Sequence, residues 1–426
     1  MSSDRAKCQS LSQPFDEGDG GVDFDPRAVA THTRTNQHSR HLHKVRERWL
    51  DVDDPIRRTM TTENSPAGDS RVRIGFVEGP HPNYARNVTL RQALEADTYD
   101  VVRIPAKARC LLRARDVDLL FVSYPGYRSM PLAWAVARLR GLPVVFDAFL
   151  SLHETRVVDR QEVSRWGWRS LLYRILEMLA CWAATVVVVD TAETGAFLAR
   201  RTYRRKTAFV PVVVSSNVEV MKPCANTSPV SGAPIRVSFY GTFSPLQGPE
   251  VIVGAATILE REAPGRFSFI LIGDGPLRAM MEHQVQQSSL DSVTFLPYLP
   301  IQELREELCA ADIVLGVFGT SPKTQRVIPN KVFDALALGK PLVTARARAL
   351  EAELRDREHA WFVTAGSPEE LAEALRSLEA DPTLAAEMAE KGHQLFTERM
   401  SHERVRGDLA AALARAGVPK TAGRAR

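Results

Sequence analysis

Two stretches constrain this chain most. Arg71 to Gly79, RVRIGFVEG, and Ile235 to Thr242, IRVSFYGT, are short apolar runs that end at a glycine turn. A strand apolar at nearly every position is buried on both faces, which a parallel sheet covered by helices provides. The first run continues into a helix at Thr89 to Ala96, followed by apolar runs at Val101 to Ile104, Leu119 to Ser123, Leu142 to Phe149 and Val186 to Asp190. Helical segments at Leu132 to Arg140 and Leu171 to Ala184 separate them. The second run is followed by strand patterns at Phe267 to Gly275, Ser292 to Leu299, Asp312 to Phe318 and Pro341 to Ala345. Helices are expected between them at Pro249 to Arg261, Leu277 to Gln287 and Ile301 to Ala310, and then at Pro368 to Leu378, Pro382 to Phe396 and His402 to Ala416. Alternation of this kind predicts an α/β chain with two Rossmann-like domains and a helical C-terminus.

The expected boundaries are a disordered tail over 1–70, a first Rossmann-like domain over 71–230, a second over 235–400, and a C-terminal helix over 401–418 that packs back on the first domain. Lys222 to Pro234, rich in Pro, Asn, Thr, Ser and Gly, reads as the linker. Within the tail, a short helix is expected around Val45 to Val52. The histidines His32, His38, His41 and His43 are irregularly spaced, and no acid or cysteine is interleaved to complete a metal site. Ligands of open parallel sheets sit beyond the carboxyl ends of the strands, which places Tyr124, Gly126, Asp147, Ser151, His153 and Asp190 at or near a cleft edge.

The five cysteines, Cys8, Cys110, Cys181, Cys224 and Cys309, show no CxxC and no paired histidine. Neither a disulfide framework nor a zinc site is expected, and a reducing cytoplasm fits that usage. No N-terminal apolar segment resembles a signal peptide. The most apolar run, Leu171 to Val189, contains Arg174 and Glu177 and reads as a buried helix followed by a buried strand. Residues 71–230 carry 23 Lys+Arg against 14 Asp+Glu, with cations such as Arg109, Arg113, Arg138, Arg165 and Arg169 spread among apolar residues. This suits a face near anionic lipid or an anionic acceptor, with peripheral attachment at the inner face of the cell membrane. No nucleic-acid-binding motif accompanies the charge.

Ser321 to Val343 concentrates the chemistry. Pro329 suits a first helical turn, and Gly339 followed by Pro341 is a stop, so Asn330 to Leu338 reads as a short helix. Asn330 and Asp334 share one face at i, i+4 spacing, and Val332, Phe333 and Leu336 offer an apolar side. Lys323, Arg326 and Lys331 gather at the positive end of the helix dipole, an arrangement that receives phosphate. A solvated basic loop before a surface helix would have the same composition.

The ordered set Tyr240-Gly241-Thr242 with Pro245-Leu246-Gln247-Gly248, Ile272-Gly273-Asp274-Gly275-Pro276, Val293 to Leu299, Ala311 to Gly316, and Asp334 to Pro341 resembles the second domain of family-four glycosyltransferases of the GT-B fold. Tyr124-Pro125-Gly126, Val144 to Ser151 and Asp159-Arg160 resemble one subgroup of that family in the first domain. The resemblance implies a retaining glycosyltransferase that moves a sugar from a nucleotide diphosphate sugar to an acceptor hydroxyl by front-face substitution. It further implies that Asp334, where the family usually has Glu, accepts hydrogen bonds from both ribose hydroxyls. Gly241, Gly273 and Gly275 form the glycine turns, Pro297 and Tyr298 border the base, and Asn330 lines the same site.

Two departures stand out. Arg326 occupies the register of a second family Glu that contacts the donor sugar. Thr242 and Gln247 stand where the first glycine loop usually carries Arg or Lys. A departing diphosphate gains charge, and a cation at about 4 Å contributes roughly 4 kcal/mol of gross Coulomb energy at an effective dielectric near 20. Lys323, Arg326 and Lys331 are therefore expected to replace the missing cations, and neither cofactor nor metal is expected. Asp147 is a candidate to orient the acceptor or donor sugar and His153 to handle a proton, although capping a helix or satisfying a loop would place both residues there equally. Arg156, Asp159 and Arg160 are candidates for shaping the acceptor pocket, where an ordinary ion-pair cluster would look the same. The expected partners are the nucleotide sugar and a small-molecule, glycan or lipid-linked acceptor, in glycan, glycolipid or natural-product biosynthesis. A non-catalytic GT-B scaffold and a GT-B nucleotide-sugar epimerase using His81, Asp147 and His153 are the competing readings.

Overall fold

The computed structural model describes residues 71–97, 99–159, 162–224 and 232–418. The expected tail, with its histidines, its short helix and Cys8, lies outside these residues, as do Arg160 and the middle of the expected linker.

Each lobe is one fully parallel six-stranded sheet. In the first lobe the strands are β1 (Arg73–Glu78), β2 (Asp100–Pro105), β3 (Leu119–Val122), β4 (Val144–Phe149), β5 (Val186–Val189) and β6 (Phe209–Pro211). They are ordered β2-β1-β3-β4-β5-β6. The helices are α1 (Ala85–Glu95), α2 (Ala108–Arg113), α3 (Met130–Arg140), α4 (Trp168–Ala183) and α5 (Ala192–Arg201). β3, β4 and β5 are buried at every position, as their continuous apolar runs require.

The second sheet comprises β7 (Ile235–Thr242), β8 (Phe267–Asp274), β9 (Val293–Leu296), β10 (Ile313–Leu315), β11 (Leu342–Ala345) and β12 (Trp361–Val363). Its order is β12-β11-β10-β7-β8-β9, which reverses direction between β7 and β10 and so opens a crevice beyond their carboxyl ends. Its helices are α6 (Pro249–Glu262), α7 (Arg278–Gln287), α8 (Ile301–Ala310), α9 (Asn330–Leu338), α10 (Arg348–Glu351), α11 (Pro368–Ala380) and α12 (Pro382–Arg399). α9 begins after Pro329 and stops at Gly339, whose left-handed φ of 66° lets the chain turn directly into β11. The last helix, α13 (His402–Arg415), buries Val405, Leu409 and Leu413 in the first lobe's core with Ile74, Phe76 and Leu90.

Two expectations are corrected. Cys224 and Cys309 form a disulfide across a sequence separation of 85, with Cα atoms 5.4 Å apart. No local spacing announces this pair, because only the fold brings the incoming segment to the end of α8. The pairing also removes the cysteine-usage argument for a reducing compartment. Secondly, the helix expected to be buried within Leu171 to Val189 is buried on one side only, and Leu171, Leu172, Ile175, Leu179 and Trp182 are exposed. Among the described residues, no helix is long and apolar enough to cross a membrane.

Candidate active site

The carboxyl ends of the two sheets meet. From the first lobe come the segment after β4, which forms one π-helical turn over Glu154–Asp159, and Thr191 at the start of α5. From the second come the loop after β7 and the long segment between β10 and α9. Arg326 and Lys323, both on that segment, reach across. The Arg326 guanidinium pairs with Glu154 and lies 4.1 Å from the Phe197 ring centroid, while its carbonyl accepts from the Thr191 and Thr194 hydroxyls. Lys323, almost wholly buried, donates to Asp159 at 3.0 Å and to Thr155 at 3.3 Å. These two cations hold the lobes together, each paired with a first-lobe acid and not with the first glycine loop. Arg156, on the same turn, is spent on Glu162.

Lys331 does face that loop. Its ammonium donates to the Gln247 side-chain oxygen and sits 4.0 Å from the Phe239 ring centroid and 5.6 Å from that of Tyr240. Burial pushes its pKa well below the ordinary lysine value, with Asp334 pulling the other way. The loop and the β10 exit are also joined by the Phe318 amide, which donates to the Gln247 carbonyl at 2.9 Å. Gly241 and Gly273 are register neighbours on β7 and β8. A Cβ on Gly273 would lie 2.0 Å from the Gly241 carbonyl oxygen, and its φ of 128° suits glycine, so this approach excludes any side chain. Gly275 donates its amide to the Asp274 carboxylate at 2.7 Å.

Asp334, one turn into α9, receives two hydroxyls. One carboxylate oxygen accepts from Ser216 on the segment that joins the lobes, and the other accepts from Tyr240 at the end of β7. Burial raises its pKa above the usual carboxylate value, while the Ser216 and Tyr240 hydrogen bonds and Lys331 oppose that shift. Thr242 lies 3.3 Å from the Tyr298 hydroxyl, which donates to the Asp274 carbonyl at 3.1 Å. Pro297 and Asn330 are exposed along the same rim.

Asp147, His153 and Asp190 of the first lobe are buried. Asp147 is fully buried and engaged by the Arg86 guanidinium through three contacts of 3.0–3.1 Å. Burial raises its pKa, and Arg86 opposes that rise. Arg86 also donates to the Val212 and Val189 carbonyls at 3.2 and 3.4 Å, so the pair fastens α1 to the ends of β4 and β5. Asp147 is thus a structural residue here and not a group that orients substrate. Arg86 went unnoticed in the sequence, although it stands four residues before Leu90 on the stripe that α1 buries. Asp190 is also buried, and its carboxylate accepts from the Thr191 amide at 2.8 Å.

His153 is buried beneath α4, its Nε2 2.9 Å from the Ser170 hydroxyl and its amide directed at Glu177. Burial, with the charges of Arg201, Arg174 and Arg165, lowers its pKa to about 4. The unfolded chain therefore binds a proton that the folded chain does not between about 4 and 6.5. Stability should fall by up to about 3 kcal/mol as pH drops through this window. His153→Gln should flatten that slope in urea midpoints measured across it, and an unchanged slope would count against the assignment.

Two Rossmann-type lobes joined at their strand carboxyl ends, with α13 returning to the first lobe, are the arrangement of a GT-B glycosyltransferase. Residues 234–381 match the model of the group 1 glycosyl transferases, and the chain is a glycosyltransferase. It is 26% identical over 359 residues to a D-inositol 3-phosphate glycosyltransferase of Corynebacterium diphtheriae, covering 80% of each chain. A protein of the same name from Nocardia farcinica is 32% identical over 157 residues, covering 35% of this chain and 34% of that protein. Among solved structures, HepE of Anabaena in complex with UDP and glucose superposes with a TM-score of 0.61 at 16% identity, over 80% of this chain and 99% of that one. Sucrose-phosphate synthase of Thermosynechococcus elongatus gives a TM-score of 0.62 at 17% identity, over 80% and 98%.

Proposed function

We propose that the chain transfers a sugar from a nucleotide diphosphate sugar to an acceptor hydroxyl, with retention at the anomeric carbon. The observation that carries this reading is the Asp334 carboxylate, which accepts one hydroxyl on each oxygen at the second sheet's crevice. A ribose presents two neighbouring hydroxyls of the same chemistry, and an ionised acid accepts both with charge-assisted bonds. Lys331, between Asp334 and the first glycine loop, is the cation for the diphosphate. Tyr298 and Pro297 border the base. The relatives named for an inositol phosphate support an anionic acceptor, as does the basic first lobe. HepE, solved with UDP and with UDP-glucose, supports a nucleotide sugar donor.

The resemblance to family-four enzymes supports front-face substitution, in which the acceptor hydroxyl attacks on the side from which the diphosphate leaves. The enzyme then contributes position and charge stabilisation. Calorimetry with a panel of nucleoside diphosphates tests the donor site. Asp334→Ala should weaken the best of them about 10- to 100-fold, the loss of a hydrogen bond to a charged group. Saturable binding by none of the panel would remove this reading and leave the scaffold. Conversion of the donor sugar alone, with no transfer, would replace it by the epimerase.

A further inference from the structure

The exposed side of α4 is out of keeping with a helix on a water-facing surface. Trp168, Leu171, Leu172, Ile175, Leu179 and Trp182 are all exposed, with Trp168 at 71% and Leu179 at 54%. At 3.6 residues per turn they fall within an arc of roughly 100°, opposite the face on which Ser170, Glu177 and Cys181 are buried. The stripe extends at its N-terminal end to Trp166, which is 92% exposed. At its other end the Trp182 indole donates to the Thr202 carbonyl at 2.7 Å, which sets it beside the exposed Tyr203. Contiguous apolar surface of this kind marks an interaction site.

The surrounding charge selects the partner. Arg165, Arg169 and Arg174 are exposed along the helix, and Arg205 and Lys206 follow Tyr203. The only acid between 163 and 183 is Glu177, which is buried and paired with Arg201. An apolar stripe between arginines, with tryptophan at both ends, is the pattern of a helix lying in the headgroup region of an anionic bilayer. A second copy of the chain fits poorly. A two-fold contact through this face would bring the arginines of both copies into one interface, where Glu177, the acid of the helix, is already buried and paired with Arg201.

We propose that α4, with Trp166 and Tyr203, is the surface by which this chain docks on an anionic lipid bilayer, lying in the interface plane. The inference stands independently of the transfer chemistry. The test is flotation of the full chain with vesicles of phosphatidylcholine, and with vesicles in which about a third of it is replaced by phosphatidylglycerol, at low and high salt. The wild-type chain should float with the anionic vesicles and be released by salt. Leu171→Glu with Leu179→Glu should lower partitioning roughly a hundredfold, the loss of two buried leucines. Both side chains point outward, so thermal unfolding should be unchanged. Arg169→Gln with Arg174→Gln should weaken binding to anionic vesicles and abolish part of its salt dependence. The proposal is overturned if the wild-type chain does not float with anionic vesicles or if the leucine variant partitions like wild type. It is equally overturned if light scattering shows a wild-type dimer that the leucine variant dissolves.

Discussion

Lys331→Ala should lower turnover about 100- to 1,000-fold, the usual effect of removing one donor aimed at charge that develops in a transition state. The buried ammonium is the cation that faces the first glycine loop, where Thr242 and Gln247 offer none. Its burial gives the prediction a second signature. An incoming diphosphate raises a pKa that desolvation had pushed down, so binding takes up a proton wherever the free protein holds Lys331 neutral. Affinity should weaken as pH rises through the interval between the free and the bound pKa. In Lys331→Ala, calorimetry in buffers of different ionisation enthalpy should show that uptake abolished. Wild-type turnover in a folded Lys331→Ala chain would rule out this role.

The second large effect concerns stability. Arg86→Ala should destabilise the chain by about 3–5 kcal/mol, because Asp147 would be left as a buried carboxylate without its partner. Urea unfolding followed by tryptophan fluorescence reads the loss. Replacing both partners, Arg86→Leu with Asp147→Leu, should recover much of it, since no buried charge is then stranded. A double variant as unstable as Arg86→Ala would show that the loss comes from packing of the guanidinium against Phe149 and not from the charge.

Local signals made the architecture legible. Continuous apolar runs gave the strands of both sheets, and α9 lies between a proline and a glycine that stop a helix wherever they occur. The three-residue strands β6 and β12 lie outside the expected runs. The strand expected over Asp312 to Phe318 ends at Leu315, and Phe318 and Gly319 fold against the first glycine loop. What could not be read was partnership over distance. Arg326 meets Glu154 from 172 residues away and Asp334 meets Ser216 from 118, and neither segment carries a mark of the other. The crevice was legible as a list of residues, but which cations serve the lobe contact and which face the glycine loop was decided by topology.

The disulfide has a mechanical consequence. Cys224 is bonded to Cys309, its amide donates to the Leu338 carbonyl at 3.1 Å, and the Lys222 carbonyl accepts from Arg305. Lys222 and Cys224 are therefore tied to the second lobe, while β6 belongs to the first. The chain crosses between the lobes through 212–221 on the way out and near Met400 on the return. Ser215, at a left-handed φ of 61°, and Ser216 lie on the outward crossing. A swing of the lobes would therefore act on the Ser216 hydroxyl that Asp334 accepts, so the contact between segment and carboxylate is coupled to the angle between the lobes.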